Sequence, residues 1–136
     1  MFNEYVTIVL LYKKEASRFF KKAKKEEKLI LKYEWEHEIL DKSIFFEIEL
    51  LSSEIAGYAS SLEKGNFTRC EETLTSLSVK SIYDNEVILN WLTLENITKY
   101  PDYYVYILFL ENYRSLVVKV CEEMREEGEN KTGKGA

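Results

Sequence analysis

The chain holds almost nothing that stops a helix. Its 136 residues include one proline and five glycines, and residues 1–56 have neither. Gly57, Gly65 and Pro101 are the only ones before a polar end that carries Gly128, Gly133 and Gly135. Strands joined by tight hairpins need turn residues that are missing here. The expected class is therefore all-α. Five scattered glycines also build no Walker or Rossmann phosphate loop, and no nucleophile elbow occurs.

Histidine is nearly absent too. His37 stands alone, far in sequence from either cysteine. No Arg precedes it at the spacing used by small helical ribonucleases. The serine pairs Ser52-Ser53 and Ser60-Ser61 have no base near them. Cys70 and Cys121 do not make a metal-site spacing and are expected as half-buried helical thiols. A disulfide between them stays open, because proteins of very hot habitats do carry them inside cells. These absences disfavour catalysis, and the expected function is non-enzymatic.

No run approaches the ~20 apolar residues of a membrane span. The stretches Tyr5 to Tyr12 and Val105 to Leu110 are too short. A basic n-region and a small-residue cleavage site are missing, so the expected location is cytoplasmic. The sequons at Asn66, Asn96 and Asn130 are then chance. Glutamine is absent and Met, Cys and His are few, while Lys and Glu abound. That bias is the thermophile pattern, although an AT-rich genome produces a similar one.

What the chain has is charge, unevenly divided. Residues 13–32 hold nine Lys/Arg against three Glu; the remainder holds ten against twenty-one. A net charge of −5 argues against nucleic acid, but binding responds to the local field as well as the total. Lys14, Arg18, Lys21, Lys25, Lys28 and Lys32 recur at intervals of 4, 3, 4, 3 and 4. At about 100° per residue they occupy one face of a helix. The opposite face carries Val9, Tyr12, Ala16, Phe19, Phe20, Ala23 and Ile30.

Helical spacing sets the remaining elements. Asn3 is a candidate cap for the first helix, with Glu4 in its first turn. One helix over 4–62 would run roughly 88 Å, against a radius of gyration of ~14 Å for a compact domain of this size. A heptad laid through that stretch puts Glu26, His37 and Glu47 in its seam, too polar for a coiled coil. The chain must bend instead, chiefly at Asp41–Ser43, with a softer break near Lys24–Lys28. A helix from Ser43 to Leu62 then ends at Gly65. Asn66 caps a helix over 67–79, and Asp84 or Asn85 caps one that runs on through Leu94 and stops before Pro101. Pro101 opens the last helix, which is apolar all round for two turns, is expected to be central, and closes at Gly128. The prediction is a compact bundle of five to six helices: one domain over 1–128 and a disordered tail over 129–136. Its core is expected around Leu51, Ile55, Trp91, Leu92, Tyr106, Phe109, Leu110 and Val117. The tyrosines at 100, 103, 104, 106 and 113 interleave with aliphatic residues and belong mostly to that core.

Glu34 and His37 stand at i, i+3, which puts both on one helix face, as in di-iron carboxylate bundles. The surrounding Glu34, Trp35, Glu36, His37, Glu38, Ile39 and Leu40 locally resemble a rubrerythrin helix of the ferritin-like family. The resemblance implies metal binding. The family's second Glu-x-x-His is missing, since there is one histidine, so only two copies of the chain could approach the full site. No metal and no cofactor are expected, and a degenerate ferritin-like metal protein is the outlying alternative.

The cationic stripe has four explanations. It is a solvated face; or it pairs with Glu122, Glu126 and Glu129 of this chain or a neighbour; or it tracks a nucleic-acid backbone; or it lies on an anionic membrane with Tyr12, Phe19 and Phe20 dipping in. The last competes with the core for those aromatics. The expected role is a small helical subunit or accessory factor that contacts nucleic acid or a nucleoprotein partner through the stripe. A protein-interaction module that self-associates is the alternative.

Overall fold

The computed structural model describes residues 2–39, 41–77 and 81–135, with the side chains of residues 2, 3 and 127–135 outside the description. Six α-helices and a turn of 3₁₀ helix are present among the described residues, and no strand. They are α1 (Phe2–Glu36), α2 (Ile44–Glu63), α3 (Cys70–Leu77), the 3₁₀ turn Ile82–Asp84, α4 (Glu86–Trp91), α5 (Leu94–Lys99) and α6 (Pro101–Gly135). α1 and α6, 35 residues each, are roughly 52 Å long. None of the helices is long and apolar enough to cross a membrane.

α1 runs unbroken through Lys24–Lys28, where a softer break was expected. It begins at Phe2, ahead of the candidate cap Asn3, whose side chain lies outside the described residues. The break comes after Glu36. The N–H of Ile39 bonds back to the Glu34 carbonyl and that of Glu38 to Trp35, a Schellman closure. Its left-handed residue is Glu38, at φ 55°, a position usually given to glycine. Ser43 then caps α2, accepting from the Phe46 N–H at 3.1 Å. α2 folds back along α1, with Lys13 on Glu63 at the far end, and Gly65 at φ 75° turns the chain out of it.

α6 lies antiparallel to α1. The contacts pair Tyr5 with Glu123, Tyr12 with Phe109, and Glu26 with Asp102. Phe19 and Phe109 rings meet at 4.8 Å and Phe20 and Tyr106 at 5.7 Å. α2 and α3 cover other sides of α6, so it is the central helix: Tyr103, Tyr106, Ile107, Leu110, Tyr113, Val117, Val120 and Cys121 are all buried. Ile55 joins them, while Leu51, Trp91, Leu92 and Phe109 pack at the margin. α6 continues past Gly128, because one glycine costs a helix only about 1 kcal/mol relative to alanine. The tail expected over 129–136 lies, but for its helical backbone to Gly135, outside the described residues.

Two boundaries differ from expectation. α3 begins at Cys70 rather than 67, because Asn66 Oδ1 accepts from both the N–H and the hydroxyl of Thr68 in a local turn. The segment after Asn85 is two helices, because Thr93 caps a new one through the Asn96 N–H at 3.2 Å. The Asn96 amide ties back to the Trp91 carbonyl.

Candidate binding interface

The stripe sits on the side of α1 opposite Val9, Ala23 and Ile30, which are buried. Lys14, Arg18, Lys21, Lys25, Lys28 and Lys32 are all exposed. Arg18 binds Glu15 at 2.5 Å and lies 5.3 Å from the Phe19 ring centroid. Lys32 reaches Glu36 only at 3.9 Å. Lys14, Lys21, Lys25 and Lys28 make no ion pair among the described residues. Exposed Lys22 and Lys24 flank them and broaden the positive band.

Two further acids of α1, Glu26 and Glu34, serve other helices. Glu26 accepts the N–H groups of Asp102 and Tyr103, at 3.0 and 3.2 Å, at the start of α6. Burial raises its pKa, and the Tyr103 N–H works against that rise. Glu34 is buried and serves α2 the same way. It accepts from Ser43 Oγ at 2.8 Å, from the Ile44 N–H at 2.7 Å and from the Phe45 N–H at 3.3 Å. Carboxylates at helix N-termini satisfy orphan N–H donors and oppose the positive end of the dipole. On α2, Glu47 takes a bond from the Asn85 amide, next to the first turn of α4.

This bonding separates the Glu34 and His37 pair. Both Glu34 oxygens are engaged inside the bundle. His37 is exposed, its ring stacked 3.9 Å from Tyr33 and its Nδ1 2.8 Å from the Tyr33 carbonyl. Among the described residues no cluster of three His, Cys, Asp or Glu could hold a metal ion. Among the described residues, the acidic end of α6 does not pair with the stripe either. The bond between Tyr5 and Glu123 sets Glu122 and Glu126 beside the first turns of α1, away from residues 14–32. The Glu129 side chain lies outside the described residues. Cys70 and Cys121 are free and buried. They face each other from α3 and α6, and the bond from Cys70, then burial, pushes the Cys121 thiol up.

Sequence reasoning missed one feature beside the stripe. Lys28, Leu31, Lys32, Trp35, Phe45 and Phe46 line an open hollow of about 470 Å³ with apolar walls. Trp35 is 71% exposed and Phe46 50%. The Phe45 and Phe46 rings meet edge-on at 5.5 Å. Trp35 was visible only as part of Glu-x-x-His. The α1–α2 turn brings Phe45 and Phe46 to it.

Compared with protein-family models, curated proteins and solved structures, the chain matches none.

Proposed function

We propose that the protein acts by binding rather than by catalysis, and that α1 tracks the phosphate backbone of a nucleic acid, bare or within a nucleoprotein. One observation supports the reading: four exposed lysines in register, Lys14, Lys21, Lys25 and Lys28, make no ion pair among the described residues. A solvated helix face ordinarily mixes its signs, at little energetic gain per pair. From Lys14 to Lys32 the stripe rises eighteen residue steps, roughly 27 Å, and among the described residues only its Arg18 and Lys32 meet an acid. That length spans about eight base steps of duplex at 3.4 Å per step on one strand. A membrane surface is disfavoured because Tyr12 and Phe19 are packed against α6.

A second reading keeps the stripe and changes the partner. Glu122 and Glu126 are exposed, and only a second copy could bring such a pair to residues 14–32. One experiment separates the two. Fluorescence anisotropy with labelled DNA or RNA at about 50 mM salt should report binding, and Lys21→Glu with Lys25→Glu should weaken it for every sequence. If the double variant instead shifts the oligomer in sedimentation, and Lys at positions 122 and 126 restores it, the self-associating reading replaces this one.

A further inference from the structure

Trp35 and Phe46 are the most exposed aromatic side chains among the described residues, ahead of Tyr33 and Phe20. Neither is needed for packing in its exposed part. They share the hollow with Lys28 and Lys32, which are also the last two members of the stripe. A ligand that fills this place must offer an anion and a flat apolar face within a few ångströms of each other. We propose that the ligand is a single-stranded nucleic acid, with one or two bases stacked on Trp35 and Phe46 and its backbone running from there towards Lys14. This rests on the phosphate-tracking role proposed above and gives it a substrate class.

A duplex satisfies the stripe but not the hollow. Its base faces are stacked on one another, and only phosphates and groove edges are presented. A single strand carries a phosphate and a free π-face on every unit. Proteins that hold it without sequence preference combine a cationic track with aromatic platforms. The walls of the hollow fit that kind of binding. Apart from the two ammonium groups they offer nothing to read a base edge, so stacking there is tolerant of sequence. The place is open, so a ring can reach Trp35 and Phe46 from solvent without any part of the bundle moving. Stacking also adds attraction at one end of the track only, which sets where the strand is anchored.

The test uses the whole chain and three probes: oligo(dT) of about 15 nucleotides, a duplex of the same length, and vesicles of phosphatidylserine and phosphatidylcholine. Trp35→Ala and Phe46→Ala are read beside Lys21→Glu with Lys25→Glu, each checked for unchanged helical circular dichroism. Trp35→Ala should weaken oligo(dT) binding by about tenfold and leave duplex binding within about twofold. Oligo(dT) should quench tryptophan emission in the native chain, and less so in the variant. The charge reversal should weaken both nucleic acids. If Trp35→Ala leaves oligo(dT) unchanged while the charge reversal weakens it, the stacking site is wrong and the stripe stands. If neither nucleic acid binds, stripe and stacking fall together. Vesicle binding tighter than oligo(dT), with a blue-shifted emission lost in Trp35→Ala, would assign the hollow to lipid and overturn the proposal.

Discussion

On the side of α1 turned to the bundle, Glu26 and Glu34 reach across to the first turns of α6 and α2. On the side turned to water, Lys14, Lys21, Lys25 and Lys28 reach no counter-charge among the described residues. The two sides differ in what their charges are for. The inward carboxylates satisfy backbone N–H groups of other helices, a structural task that fixes where those helices start. With them turned inward, the outer face keeps Glu15 and Glu36, on Arg18 and Lys32, against a longer row of cations. The excess of positive charge on the outer face is thus partly a by-product of folding, and the cations are what it leaves free to bind something else.

The largest difference between the two sides of α1 is expected at neighbouring residues. Ile30 is 2% exposed and Leu29 is 52% exposed. Ile30→Ala should cost about 2–5 kcal/mol in chemical denaturation, and Leu29→Ala within about 0.5 kcal/mol. Equal costs would mean that α1 is not seated as described. Glu34→Ala should come next, at about 2–3 kcal/mol, because it strands the Ile44 and Phe45 N–H groups; Glu34→Gln should recover part of the loss. Glu38→Gly should raise stability by about 1 kcal/mol, since glycine carries no Cβ penalty at a left-handed position.

The smallest effect depends on pH. Burial, and then the Glu49 charge, raise the Glu27 pKa above 4.5. A raised carboxyl pKa means the folded chain disfavours the charged form. The resulting penalty is absent when Glu27 is protonated and appears as pH rises through the folded value. Glu27→Gln should therefore gain stability at pH 7, under about 1 kcal/mol after solvent screening, and the gain should vanish below pH 4.5. A gain that persists in acid would assign it to another cause.

Much of the scaffold was legible. Scarce glycine and proline marked the class, the turn at Asp41–Ser43 and Pro101 marked two ends, and the spacing from Lys14 to Lys32 marked the outer face. Glu26 and Glu47 were legible only as polar faults in a heptad, and Glu34 only as half of a metal motif. Their partners, Asp102, Asn85 and Ser43, are supplied by tertiary contacts, and a periodicity that reads one helix at a time cannot see them. The hollow at Trp35 was hidden for the same reason. The helix boundary at Thr93 was missed because the apolar spacing continues across it.

Whether α1 holds phosphates shows in the salt dependence of nucleic-acid binding. Between about 50 and 200 mM salt, log affinity against log salt should fall with a slope of about −3 to −5, for four to six neutralised phosphates. Lys21→Glu with Lys25→Glu should flatten that slope by about 2 while stability changes by less than about 0.5 kcal/mol. A slope near zero, or one that the double reversal leaves unchanged, would contradict the account.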